Sequence, residues 1–171
     1  MARMSIAAVN EMSVADYVAT FGDIAEHSPF VAEGAAAERP HASRQAMAEA
    51  FEKVLRGAAY GRQLAVLRAH PDLAGRAAIA DELTEDSRRE QRGAGLDSLT
   101  PEEFERFTEL NNHYRETFGF PFIFAVKGAT KDMILDAFEA RVENGRAEEL
   151  ETALAQVARI LRFRIEDRVL P

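Results

Sequence analysis

Residues 100–119 read TPEEFERFTELNNHYRETFG, and their pattern decides what kind of protein this is. Thr100 suits an N-cap. Pro101 suits the first helical position, where its missing N–H is an orphan anyway, and Glu103 completes a capping box. Phe104, Phe107, Leu110, Asn111, Tyr114 and Phe118 then recur at helical spacing, and Gly119 closes the segment. The apolar run that follows, Phe120 to Val126, contains Pro121 and meets no candidate partner strand elsewhere in the chain. It is expected to be an extended segment threaded between helices rather than part of a sheet.

Working outward, the remaining segments are helical as well. Ser13 caps a segment with Val14, Tyr17, Val18 and Phe21 on one face. From Pro29 to Ala42 the chain is expected to loosen, with Pro29, Gly34 and Pro40 as breakers. Ser43 caps a helix carrying Met47, Ala50, Phe51, Val54 and Leu55, weakened at its end by Gly57. A segment from Gly61 to Ala69, with Leu64, Ala65 and Leu67, must stop near His70, because Pro71 disfavours a helical predecessor. Thr130 caps a helix that turns Ile134, Phe138 and Val142 inward and ends at Asn144-Gly145. The last helix runs from about Ala147 to about Arg168, with Glu148, Glu149 and Glu151 at its start and arginines towards its end, as the helix dipole favours. No repeat or linker divides the chain. The predicted fold is all-α: a single-domain helical bundle over residues 1–171 with a short extended segment around 120–126.

Composition narrows the chemistry. The chain has 171 residues, no cysteine and a formal net charge of −8. Without cysteine there is no disulfide, thiolate nucleophile, iron–sulfur cluster or cysteine zinc site. The acidic balance argues against nucleic acid, whose binding needs a basic face. The longest apolar stretch, Phe118 to Val126, is too short to span a bilayer. No signal-peptide pattern is read at the N-terminus and no peroxisomal address at the C-terminus, so a cytoplasmic location is expected.

That leaves four histidines, His27, His41, His70 and His113. His70 stands out, at the forced helix end in His70-Pro71-Asp72-Leu73-Ala74-Gly75. An imidazole projecting from a stiff corner is well placed as a general acid or base, although a helix C-terminal histidine can also simply favour the dipole. Spacings of three and four put Ser87, Glu90 and Gln91 on one helical face. This face offers a hydroxyl, a carboxylate and an amide to a small polar ligand, or it is an ordinary solvated face. In the last helix Leu150, Leu154, Val157 and Leu161 step onto Arg164. A guanidinium on a core stripe needs an anionic or carbonyl partner, supplied by a ligand or by an internal ion pair, for instance to Glu90. The backbone of Phe122, Ile123, Phe124, Ala125 and Val126, if buried, needs hydrogen-bond partners that a urea-like ligand has to offer. His70 with Asp72 is too little for a metal site, and none is expected.

Taken in order, these segments resemble the family of 2-oxo-4-hydroxy-4-carboxy-5-ureidoimidazoline (OHCU) decarboxylases. The resemblance is carried by Ser28-Pro29-Phe30-Val31, Arg39-Pro40, His70-Pro71-Asp72-Leu73-Ala74-Gly75, Ser87 with Glu90-Gln91, Ala94-Gly95-Leu96, Phe118 to Ile123, and Arg159 to Asp167. Phe30 stands where the family often has tryptophan, a conservative change. The resemblance implies an all-helical homodimer with no cofactor that releases CO2 from OHCU to give (S)-allantoin. By motif it implies His70 as proton donor, with Glu90 orienting it. Pro71, Ser87, Gln91, Arg164 and the backbone of Phe122, Ile123, Phe124, Ala125 and Val126 look like the substrate-binding groups. Two other classes compete with it: a non-catalytic helical interaction module, and an enzyme that hydrolyses or racemises a related ureido compound.

Overall fold

The computed structural model describes residues 2–75 and 82–171. Among these it contains nine α-helices and no strand, only a lone parallel bridge between Met4 and Val169. The all-α reading holds. The chain divides into two compact units, one made of the chain up to Ala69 with Ala158–Pro171, the other of His70–Val157.

The first unit contains α1 (Ile6–Glu11), α2 (Val14–Phe21), α3 (Phe30–Ala37), α4 (Arg44–Gly57), α5 (Tyr60–Ala69) and the C-terminal end of α9 (Arg146–Arg168). Three serines start three of these helices. The hydroxyls of Ser5, Ser13 and Ser43 accept from the backbone N–H of Ala8, Asp16 and Ala46 at 3.2, 3.1 and 3.0 Å, each satisfying a donor that the first turn leaves orphaned. The Ser5 helix, α1, has no counterpart in the sequence reading, where only one of its residues is strongly apolar and buried, Val9. On α5, Leu64 and Leu67 are buried as expected, while Ala65 is exposed and Val66 is buried in its stead.

The loosened stretch expected over residues 29–42 is corrected by the structure. Phe30–Ala37 is helical and buries Val31, Ala32, Ala35 and Ala36. Alanine is the best helix former, and Pro29 immediately precedes the first turn, where a missing N–H costs nothing. Gly34 is a contact device rather than a breaker. A Cβ there would lie 2.7 Å from Cγ2 of Val54 on α4, so its absence lets the two helices close up.

A polar cluster sits inside this unit. The Tyr17 hydroxyl lies 3.1 Å from Nε2 of His41. The Asn10 amide bonds both backbone groups of His41, donating to its carbonyl at 2.9 Å and accepting from its N–H at 2.8 Å. The Arg39 guanidinium stacks 4.9 Å from the Tyr17 ring centroid. Burial, and then the Arg39 charge, hold the His41 pKa below the ordinary histidine value, against a smaller opposing effect of Glu38.

The second unit contains α6 (Glu85–Gly93), α7 (Pro101–Phe118), α8 (Lys131–Arg141) and the first part of α9. The Thr100 capping box forms as predicted, with Thr100 accepting from Glu103 N and Glu103 accepting from Thr100 N. Gly119 ends α7 at φ 78°, a left-handed conformation that glycine adopts at little cost. The extended segment that follows contributes Phe120 and Phe122 to an aromatic core. Tyr114 lies 4.6 Å from Phe118 and 5.4 Å from Phe122, and Phe122 stacks on Phe138 at 3.7 Å.

At the centre of this core is Glu149, which is fully buried. It accepts from the Tyr114 hydroxyl at 2.6 Å, Arg141 Nε at 2.7 Å and Asn144 Nδ2 at 3.0 Å. Arg141 also donates to the Ile123 carbonyl at 2.7 Å and lies over the Phe122 ring. Burial, reinforced by the Glu149 carboxylate, raises the Tyr114 phenol far above its ordinary pKa, so it stays a donor.

Three outcomes are expected of the first unit. Gly34→Ala should lower its stability by about 1–3 kcal/mol, as overpacked helix contacts do. Gly57→Ala, where an added Cβ meets nothing within 4 Å, should raise it by up to about 1 kcal/mol. Denaturant melts read both, and equal responses would contradict the close-approach account. His41, held neutral when folded, takes up a proton on unfolding below its ordinary pKa of about 6.5. Its contribution is therefore complete above that pH and is lost as pH falls towards the lower folded value. Thermal melts at about pH 7.5 and about pH 5.5 should show a larger loss for the wild type than for His41→Asn; parallel losses would remove His41 as the cause.

Candidate active site

The second unit opens with His70. Helix α5 ends at Ala69, and His70 is 5% exposed. Pro71 has no N–H to continue a helix and fixes the φ of the next step. The turn then runs through Asp72 and the buried Leu73 to Ala74, which takes φ 53°. A non-glycine residue in the left-handed region persists only where its surroundings impose it.

Those surroundings are specific. Gln91 of α6 accepts from the Ala74 N–H at 3.0 Å and donates to the Asp72 carbonyl at 3.3 Å. Asn111 of α7 donates to the Leu73 carbonyl at 2.9 Å. One turn further along α7, Arg115 pairs with the Asp72 carboxylate at 2.7 Å. Every residue from Asp72 to Ala74 is thus held by a side chain from another element.

The α6 face predicted from spacing forms. Thr84 caps the helix by accepting from Ser87 N at 3.3 Å. Ser87 and Gln91 are buried and Glu90 is half-buried, so the face is not a solvated one. The helix ends in a Schellman motif. Gly95 takes φ 78°, its N–H bonds Arg92 O at 3.0 Å, and Leu96 N–H bonds Gln91 O at 3.0 Å. That stop anchors the end of α6 carrying Gln91. A cavity of about 460 Å³ lies in this unit, with Ala74, Gln91, Arg88, Arg92, Leu96 and Phe104 in its wall.

In the extended segment Phe122, Ile123, Ala125 and Val126 are buried and Phe124 is half-buried. Protein groups meet two of its backbone needs. Arg141 donates to Ile123 O at 2.7 Å, and Ala125 N–H donates to Gln156 Oε1 at 2.9 Å. Arg141 and Gln156 were missed in the sequence. Arg141 lies three residues beyond Phe138 on the inward stripe of α8, where Val142 was expected instead.

Arg164 belongs to the first unit and is 1% exposed, as its stripe predicts. Its guanidinium donates to the Ile24 carbonyl at 3.1 Å and to Glu26 Oε1 at 3.0 Å, and Glu26 is itself 2% exposed. The internal ion pair is therefore present, made with Glu26. Glu26 carried no signal by spacing, because it lies in the link between α2 and α3 rather than on a periodic face.

A buried imidazole at a helix end, followed by a turn that side chains of two other helices hold, suits an enzyme acting on a small molecule, in an all-α frame. Comparison with known proteins makes the class particular. The family model of OHCU decarboxylase matches residues 10–166, running through both units. The chain is 41% identical over 168 residues to 2-oxo-4-hydroxy-4-carboxy-5-ureidoimidazoline decarboxylase of Haloferax volcanii, covering 98% of each. It is 39% identical over 171 residues to the enzyme of the same name from Halalkalicoccus jeotgali, covering 100% of this chain and 95% of that one. A crystal structure of (S)-allantoin synthase aligns with a TM-score of 0.79 at 29% identity, over 98% of this chain and 54% of that one. The chain thus spans about half the length of that structure's chain. It belongs to the OHCU decarboxylase family.

Arg164→Met should destabilise the protein by about 3–5 kcal/mol, because the Glu26 carboxylate stays buried without this guanidinium. The double variant Arg164→Met with Glu26→Leu should recover most of that loss. Urea melts of both decide it: a single variant as stable as wild type would show that the pair contributes little.

Proposed function

We propose that this chain is a carboxy-lyase that converts OHCU to (S)-allantoin in urate breakdown, with the His70 imidazole as proton donor. The observation that carries the reading is family membership along the whole chain, together with the burial of His70 at the end of α5.

The chemistry needs little from the protein beyond position and proton control. When the C–C bond to the carboxylate breaks, CO2 leaves and its electron pair remains on the ring carbon. The imine and carbonyl system of the ring takes that pair up, so the substrate supplies its own electron sink. His70 then delivers a proton to one face of the flattened intermediate, and delivery from one face sets the S configuration. Glu90 orients and tunes the imidazole. Ser87, Gln91 and Pro71 line the substrate, and the backbone of Phe122, Ile123, Phe124, Ala125 and Val126 meets its ureido edge. Arg164 binds the oxygen that gains charge rather than the departing carboxylate, since a tight grip on the latter stabilises the ground state. The working protein is read as a homodimer, on the strength of the family resemblance, and as cytoplasmic, the location expected from the sequence. No described helix is long and apolar enough to cross a membrane.

The test is product chirality, followed by circular dichroism, from freshly generated OHCU. Wild type should release CO2 faster than the spontaneous reaction and give the S product. His70→Asn should lower turnover about 10²-fold or more with the melting temperature kept. Racemic product at the spontaneous rate from folded wild type would sink the reading, and near-normal turnover in the variant would remove His70 from its role.

A further inference from the structure

The four bonds onto Asp72, Leu73 and Ala74 do more than is needed to end a helix. Asn111 is 5% exposed, and its Nδ2 is committed to the Leu73 carbonyl. Its Oδ1 is buried with no hydrogen-bond partner among the described residues. A buried acceptor left unsatisfied destabilises a fold, and an apolar residue of similar size avoids that cost. The position therefore keeps an amide for its donor. Arg115 lies four residues on, on the same face of α7, and reaches Asp72. Between His70 and this clamp stands only Pro71, whose ring removes one of the two soft backbone angles. The direction in which the imidazole leaves the chain is therefore set on one side by the end of α5 and on the other by where α7 holds Leu73 and Asp72.

We propose that Asn111 is a positioning residue for His70, acting through the Leu73 carbonyl, with Arg115 as its partner acting through Asp72. This rests on the reading of His70 as the proton donor. Asn111 touches no reacting atom in this account. It sets the angle and distance of proton delivery, and misplacements of about 1 Å at a reacting group cost on the order of 10²-fold in rate.

The experiment measures kcat, KM, the pH profile of kcat and product chirality for Asn111→Leu, Arg115→Met, Arg115→Lys and His70→Asn, each checked for folding by its melt. Asn111→Leu is expected to lower kcat about tenfold to a hundredfold, with KM within about threefold, a displaced pH profile and some loss of S selectivity. Arg115 is half exposed, so Arg115→Met keeps the fold even if the Asn111 variant does not. It should lower kcat severalfold, and Arg115→Lys, which keeps the pair with Asp72, should recover most of it. A purely structural role predicts lower melting temperatures with kcat per folded molecule and pH profile unchanged, and that result overturns the proposal. Inactive His70→Asn beside unaffected α7 variants overturns the positioning role alone. Active His70→Asn overturns the His70 reading, and the positioning role with it.

Discussion

Three helices of the second unit meet at the carboxylate of Glu149. It is fully buried, and a carboxylate taken out of water is tolerated only when its lone pairs are met by donors. The donors come from Tyr114 on α7, Arg141 at the end of α8 and Asn144 in the turn that leads into α9. The requirement therefore ties three helices to one point. Arg141 passes the constraint on: the guanidinium that neutralises Glu149 also holds the Ile123 carbonyl and covers the Phe122 ring. The extended segment, which has no ladder of its own, is held by this ion pair at Ile123 and by Gln156 at Ala125. A hydrophobic filling of the same space would pack the segment but would not fix its register.

The same logic governs the turn from His70 to Gly75. A short segment has no regular hydrogen bonding to hold it, and Ala74 sits where alanine is disfavoured. Side chains from α6 and α7 supply what secondary structure cannot. These two helices are set by strong local signals, a Schellman stop after Gln91 and a capping box at Thr100. Rigid elements with well-defined ends thus support an irregular turn, and the turn carries the imidazole. That division suits an enzyme whose substrate provides its own electron sink, since accuracy of placement is then the main thing the protein adds.

Much of this was legible in the sequence because it rests on local rules. Ser13, Ser43, Thr100 and Thr130 cap helices where spacing put them, and Pro71 stops α5. The stripe through Leu154, Val157 and Leu161 placed Arg164 in the core. What escaped was of two kinds. Gly34 looks like a breaker, yet it is a close-approach site, because its role depends on Val54 of another helix. Glu149 looks like a dipole-complementing surface residue, yet it is buried, although it stands four residues before the buried Ala153 on one stripe. Charge at a helix start has an adequate local explanation, and that explanation hid the tertiary one. The partners Glu26 and Gln156 belong with these, since long-range pairings leave no mark in spacing.

The acidic composition now reads differently. A chain of net charge −8 needs a local electropositive group to take an anionic substrate, and Arg164 was the residue its periodicity offered. The structure pairs that guanidinium with a buried Glu26, so the two together carry no net charge. A compensated guanidinium remains an oriented hydrogen-bond donor but is a weaker electrostatic trap for a carboxylate. In the role proposed for Arg164, this is the better arrangement for a decarboxylation. A full positive charge beside the departing carboxylate would hold the ground state and resist loss of neutral CO2. An oriented donor stabilises an oxygen in proportion to the charge that develops on it, which is greatest after the C–C bond has begun to break.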